Sequence, residues 1–185
     1  MRTLLIIFYI MMTLSAGGGD TPVSAMTIDE KMQAFHLDKK DIEILIDKKA
    51  YTLTLKAGDQ VLKKYKCVLG GNPRDNKKCQ GDQCTPEGEF HIQAITPNHQ
   101  WDVFMLLDYP TKQSWEQFQY NKAHGRIPAN ANIGGSIGIH GVPVGKGFLI
   151  KKGINWTLGC ISLSNADIDE IYRYVNVGTR VTIVK

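Results

Sequence analysis

Two residues of this sequence have types and surroundings suited to nucleophilic catalysis. His140 stands between Ile139 and Gly141, and Cys160 follows Gly159 about twenty residues later. A cysteine thiol is a weak nucleophile until a neighbouring base takes its proton, and an imidazole often serves as that base. We therefore predict that Cys160 attacks an acyl carbon and that His140 is its general base.

The two glycines predict how this pair is held. We expect the backbone carbonyl of Gly141, which has no side chain beside it, to accept the imidazole N–H and orient the ring. Gly159 is expected to give an acyl substrate close access to the thiol, and the backbone N–H groups of Gly159 and Cys160 are the expected oxyanion donors. A cysteine and a histidine at this spacing also occur by chance, so the pair alone does not establish a catalytic site.

The elements that must position these residues are mainly short strands. Apolar patterning, alternating in the clearest cases, predicts strands at 41–47, 51–56, 61–69, 89–96, 137–140, 160–163 and 179–184. A more continuously apolar run predicts a central strand at 101–109. Helices are expected at 114–123 and 166–175, the second capped by Asn165, and loops at 70–88, 125–136 and 141–159. This succession predicts a single, mainly β domain, a β-sandwich or barrel with two short helices.

The N-terminal segment predicts export. An apolar run follows Arg2 over residues 3–14, and small residues then end in Val23-Ser24-Ala25, as at a signal peptidase site. An uncleaved anchor is the alternative, although the run is well short of the roughly 20 residues that span a bilayer. The expected divisions are a signal peptide at 1–25, a lead-in segment at 26–40 and a catalytic domain at 41–185.

Charge and cysteine count argue against several other functions. The net charge is +4, and the lysines are interspersed with acidic residues, which argues against nucleic acid as a partner. Cys67 lies in a strand pattern as a small buried hydrophobe, whereas Cys79 and Cys84 lie in a polar loop where they can close a small ring. Cys160 then stays free. No histidine or cysteine pair has metal-ligand spacing, so we expect neither a metal nor another cofactor.

The motifs resemble, in series, those of one known family. The run I-H-G, a spacer and then T-L-G-C-I-S-L-S-N-A-D-I-D-E-I-Y is similar to the signature of the L,D-transpeptidase catalytic domain, the YkuD family. Similar segments occur in the same order at Ile42, Leu69-Gly70, Gly81-Asp82, 85–88 and 107–110. The resemblance covers about residues 41–185.

The resemblance implies an exported peptidoglycan enzyme that works in cell wall biogenesis and cell shape. Such enzymes cleave the L,D bond after the third residue of a stem tetrapeptide and pass the acyl group to an amine of another stem, a lipoprotein lysine or water. Carried over to this chain, Cys160 is the nucleophile and His140 the base. We expect a monomer of the periplasm or cell envelope that binds stem peptides. With water as acceptor it would be an L,D-carboxypeptidase or endopeptidase.

Two positions depart from the family's pattern. Leu158 stands where many members have a second histidine, and Ser162 stands where many have an arginine. Leucine exchanges no proton, so the chemistry must depend on His140. If the arginine holds a substrate carboxylate, Ser162 alters substrate affinity or identity. An inactive wall-binding module is a further alternative, and the presence of both His140 and Cys160 weighs against it.

Overall fold

The structure is a computed structural model that describes residues 22–98 and 100–185. Residues 1–21 of the predicted signal peptide lie outside the described residues. Among the residues that are described, no helix is long and apolar enough to cross a bilayer.

In this part of the chain, eight strands form one sheet in the order β3-β2-β1-β8-β4-β5-β6-β7. The strands are β1 Ile42–Asp47, β2 Thr52–Ala57, β3 Gln60–Lys66, β4 Gly88–Asn98, β5 Asp102–Leu107, β6 Gly138–His140, β7 Ile161–Ser162 and β8 Arg180–Val184. The α-helices are α1 Ile28–Ala34, α2 Lys112–Ala123, α3 Phe148–Lys152 and α4 Asn165–Tyr172. The predicted single, mainly β domain is confirmed.

β4 joins the two halves of the sheet. Residues 88–91 pair with β8, residues 92–98 pair with β5, and the register shifts between Ile92 and Ala94. A bulge of this kind bends a strand and increases its twist. The sheet is therefore curled, and β5, β6 and β7 form one end of it.

Alternation along the strands buries one face of the sheet. In β1, Ile42, Ile44 and Ile46 are buried, whereas the residues between them are only half-buried. Helix α4 covers the core with Ile168 and Ile171, which are both fully buried. Each such side chain stabilises the fold by about 1.5–3 kcal/mol. This packing anchors the helix that directly follows the segment carrying Cys160.

Two local predictions about the second half of the chain are wrong. The N-cap of α4 is Ser164, whose hydroxyl accepts a hydrogen bond from the Asp167 N–H at 3.2 Å, and Asn165 is the first helical residue. Serine and asparagine cap helices about equally well, so their order alone does not select one. The predicted loop 141–159 contains helix α3, which ends at Gly153 in a left-handed conformation (φ 68°).

The segment that follows β3 covers the outer edge of the site. Val68 and Ser162 exchange two backbone hydrogen bonds, each of 2.9 Å. The chain thus leaves β3 at Lys66 and crosses to β7, instead of continuing as the predicted strand to residue 69. This crossing gives β7, only two residues long, a second backbone partner besides β6.

Candidate active site

Three neighbouring strands place Phe104, His140 and Ser162 in one row. Phe104 of β5 is the register partner of His140 in β6, and His140 is the partner of Ser162 in β7. Cys160 lies two residues before Ser162. The two predicted catalytic residues, His140 at the end of β6 and Cys160 directly before β7, consequently line one cavity of about 410 Å³.

The wall of this cavity is predominantly apolar and aromatic. It is formed by Trp101, Phe104, Gly135, Ser136, Ile137, His140, Trp156, Thr157, Leu158 and Cys160. Among the described residues, no lysine, arginine, aspartate or glutamate lines it. Charged forms of the thiol and of the imidazole are therefore poorly solvated there.

His140 is held in one orientation by its own neighbour. Its Nδ1 donates to the Gly141 carbonyl oxygen at 2.7 Å, which leaves Nε2 as the unprotonated nitrogen that can act as a base. The ring is packed among Trp101, Phe104 and Trp156, with ring centroids 5.1, 5.7 and 5.6 Å from its own. The imidazole is 3 % exposed, so these contacts restrict both its rotation and its hydration.

The peptide that follows His140 accommodates only glycine. The Gly141 N–H donates to the Trp101 carbonyl at 3.0 Å, and the Val142 N–H donates to Asn165 Oδ1 at 2.8 Å. A Cβ atom at position 141 would lie 2.5 Å from Asn165 Oδ1 and 2.7 Å from the Trp101 oxygen. The glycine expected to present its carbonyl to His140 is thus also required for close packing.

Thr157 shapes the turn that presents Cys160. Its Oγ1 donates to the Cys160 carbonyl at 2.7 Å and accepts from the Gly159 N–H at 3.2 Å. The predicted oxyanion donor at Gly159 is therefore already engaged within the turn. The Cys160 N–H has no hydrogen-bond partner among the described residues, and it is the donor left for an oxyanion.

Gly159 is required by the neighbouring loop. Its φ is 140°, and a Cβ atom there would lie 2.7 Å from the Cys84 carbonyl oxygen and 3.0 Å from Ile137 Cδ1. The space expected to admit substrate is thus filled by the backbone of loop 70–88. This long loop braces the turn that carries Cys160.

Burial sets the resting protonation of the pair. It raises the pKa of the Cys160 thiol, and a backbone hydrogen bond at Gly138 only partly opposes this effect. It lowers the pKa of His140, against the opposing effect of the Gly141 hydrogen bond. The Cys160 Sγ also donates to the Ser136 carbonyl at 3.5 Å. At neutral pH the free site therefore holds a thiol and a neutral imidazole.

The other three cysteines are also free thiols. Cys67 is fully buried, as expected, and burial raises its pKa to about 12, which makes it inert. The small ring suggested for Cys79 and Cys84 is not formed. Instead, the Cys84 thiol donates to the Asp82 carbonyl at 3.3 Å inside the loop.

The two unusual positions differ in their surroundings. Leu158 is 75 % exposed and lines the cavity, where it contributes apolar surface and no proton chemistry. Ser162 is fully buried and does not line the cavity. A residue at 162 in this chain is therefore not placed to hold a substrate carboxylate.

Sequence reasoning missed the aromatic residues around His140. Trp101 and Phe104 were predicted only as strand residues, yet both line the cavity together with Trp156. Only the strand register would have revealed Phe104, because it is the partner of His140 across β5 and β6. Local alternation does not show which strands pair.

Comparisons with known proteins identify the family and the fold of this chain. Residues 41–183 match the YkuD family, described as the L,D-transpeptidase catalytic domain. No curated protein sequence matches the chain significantly.

Solved structures with the same fold include Pgp2, the helical cell shape determining protein from Campylobacter jejuni. It is 18 % identical, with 86 % of this chain and 55 % of that chain covered and a TM-score of 0.55. Bd1075 from Bdellovibrio bacteriovorus is 18 % identical over 78 % and 48 % of the chains, with a TM-score of 0.54. An L,D-transpeptidase (Yku) from Stackebrandtia nassauensis is 13 % identical over 80 % and 57 %, with a TM-score of 0.53. The chain spans about half the length of these proteins.

Proposed function

Since the chain belongs to the L,D-transpeptidase catalytic domain family, we propose that it is a cysteine acyltransferase acting on peptidoglycan stem tetrapeptides. It cleaves the L,D bond after the third residue and transfers the acyl group to an amine, which cross-links two stems. The observation that carries this proposal is the shared cavity of His140 and Cys160, with Nδ1 of the imidazole engaged and Nε2 left as a base.

In the first half of the reaction, the Cys160 sulfur attacks the carbonyl carbon of the third stem residue. His140 Nε2 takes the thiol proton as the C–S bond forms, and the Cys160 N–H donates to the developing oxyanion. The C–N bond then breaks, and the imidazolium returns its proton to the leaving amine of the terminal D-residue. The products are a thioester on Cys160 and a free D-amino acid.

The second half repeats these steps with a different nucleophile. An acceptor amine attacks the thioester carbonyl carbon, and His140 removes a proton from the amine. The C–S bond breaks, and the sulfur recovers its proton from the imidazolium. A stem amine as acceptor gives a cross-link between the third residues of two stems, and a lipoprotein lysine gives a protein anchored to the wall.

Export belongs to the same proposal, because the substrate lies outside the cytoplasmic membrane. The apolar run after Arg2 and the small residues up to Ala25 support a cleaved signal peptide. A role in cell shape is proposed by analogy with Pgp2, whose description names that role. N-terminal sequencing of the protein recovered from the cell envelope tests the cleavage after Ala25.

Purified muropeptides test the activity. The wild-type protein is incubated with disaccharide tetrapeptides, and the products are separated and weighed by mass spectrometry beside a Cys160→Ala control. Cross-linked dimers and free D-alanine are the expected products, and neither appears with the control. Tripeptides without dimers identify a carboxypeptidase that uses water, and uncut tetrapeptides with retained binding identify a wall-binding module.

A further inference from the structure

The residue that replaces the family's arginine lies directly behind the proposed base. Ser162 and His140 are partners in the parallel pair of β6 and β7, so their side chains leave the sheet on the same side. The Leu163 N–H also donates to the His140 carbonyl at 2.9 Å, which locks this register. Ser162 is fully buried and His140 is 3 % exposed.

Both side chains donate to the same oxygen. The Gly141 carbonyl accepts from His140 Nδ1 at 2.7 Å and from the Ser162 hydroxyl at 2.9 Å. All three residues are buried, so water does not readily take the place of a lost donor. The hydroxyl therefore holds the same carbonyl oxygen that orients the imidazole.

We propose that Ser162 is a positioning residue for His140, acting through the Gly141 carbonyl. The proposal rests on the proposed function, in which His140 Nε2 is the base. A neutral imidazole has one N–H and one lone pair, and the hydrogen bond at Nδ1 decides which nitrogen carries the lone pair. By fixing the acceptor of the Nδ1 proton, Ser162 keeps the lone pair on Nε2.

This role also accounts for the departure from the family at position 162. An arginine there would place a guanidinium in a site with no exposed surface, where an unpaired charge is strongly unfavourable. A serine satisfies its one hydroxyl proton on the Gly141 oxygen and needs no further partner. In this chain the position acts on the base and not on the substrate.

The test compares Ser162→Ala with a matched control, Thr179→Val. Thr179 is buried, and its hydroxyl likewise bonds to a backbone group, the Asn176 N–H at 3.0 Å. It directly precedes β8, which is three places from β6 in the sheet, so its loss affects stability without reaching His140. Ser162→Thr keeps a hydroxyl and serves as the rescue variant.

Three measurements are made on the full chain. Nitrogen-15 NMR of labelled histidine reports the tautomer of His140, and the rate of Cys160 alkylation by iodoacetamide at pH 7 reports how well the base assists the thiol. Tetrapeptide cleavage gives kcat and KM separately. We expect Ser162→Ala to shift His140 towards a mixture of tautomers and to lower both the alkylation rate and kcat by about threefold to tenfold, with KM unchanged.

Thr179→Val is expected to lower the melting temperature as much as Ser162→Ala while leaving the tautomer and both rates at wild-type values. Ser162→Thr is expected to restore the Nδ1–H tautomer. An unchanged tautomer in Ser162→Ala, or a loss of rate that Thr179→Val reproduces, would overturn the proposal. A tautomer shift and slower alkylation in a protein that leaves tetrapeptides uncut would refute the proposed substrate and still support the role of Ser162.

Discussion

Replacing Gly141 by alanine tests the proposed orientation of the base most directly. The added Cβ would meet Asn165 Oδ1 at 2.5 Å and the Trp101 carbonyl oxygen at 2.7 Å. The first atom accepts the Val142 N–H and the second accepts the Gly141 N–H, so neither moves without loss of a hydrogen bond. Ordinary van der Waals contact begins at 3.4 Å, so full relief of both contacts requires a shift of about 0.7–0.9 Å. This is nearly the misplacement of about 1 Å that can cost about 100-fold in rate.

The expected consequences differ for stability and for activity. Overpacking of this kind costs about 1–3 kcal/mol of unfolding free energy, which lowers the melting temperature by about 2–12 °C in a domain of this size. The displaced Gly141 carbonyl no longer aligns His140 Nδ1, and kcat for tetrapeptide cleavage is expected to fall by about 100-fold at temperatures where the variant is folded. Calorimetry and single-turnover cleavage measure the two effects separately.

Gly147→Ala is the matched control. A Cβ at position 147 meets no atom within 4 Å, and the backbone there (φ −56°, ψ −20°) suits alanine. This variant should keep the wild-type kcat and gain up to about 1 kcal/mol through the unfolded state. If folded Gly141→Ala cleaves tetrapeptides at the wild-type rate, the Gly141 carbonyl does not orient the base, and the reasoning fails.

Three further predictions concern the thiols and the imidazole. The family resemblance implies that a carbapenem acylates Cys160 as a substrate mimic. It should therefore add one drug equivalent to the wild-type mass and none to Cys160→Ala, and addition to both would place the nucleophile elsewhere. Brief alkylation followed by peptide mapping should modify Cys160 and the half-buried Cys79 but spare Cys67, because burial hides that thiol and raises its pKa to about 12; preferential labelling of Cys67 would contradict this. Burial lowers the pKa of His140, so below about pH 6.5 only the unfolded state takes up this proton and stability falls as the pH drops towards the folded-state pKa. The unfolding free energy lost between about pH 7.5 and 5.5, measured by denaturation, should therefore be smaller for His140→Gln than for the wild type. An equal loss in both proteins would argue that His140 is not held neutral.

Local sequence was sufficient for most of the strands, for helices α2 and α4 and for contacts between neighbouring residues, although it missed helix α3. The alternation of Ile42, Ile44 and Ile46 predicted β1 and its buried face. The contact between His140 and the Gly141 carbonyl was predictable because the two residues are adjacent. At the end of a short strand, a following glycine leaves its carbonyl oxygen within reach of the imidazole. Features that depend on the periodicity of apolar residues, or on residues adjacent in the chain, could therefore be predicted from the sequence.

Features that depend on pairing between distant segments could not be predicted from the sequence. Gly159 looked like an opening for substrate, but its place is limited by the Cys84 carbonyl from loop 70–88. Its N–H looked like an oxyanion donor until Thr157 was seen to accept it. Ser162 was expected to bear on substrate affinity or identity, but it is fully buried and does not line the cavity. Each of these depends on register or on loop packing, which alternation does not encode.

The same packing bears on the choice between an amine and water as acceptor. Trp101, Phe104 and Trp156 surround an imidazole that is 3 % exposed, and among the described residues no charged side chain lines the cavity. A thioester on Cys160 would thus lie against a mainly apolar wall that offers water few hydrogen-bond partners. An amine attached to a second stem brings its own binding energy, whereas a water molecule has little in this wall to hold it in place. The aromatic wall around His140 consequently favours transfer over hydrolysis, in agreement with the proposed transpeptidase activity.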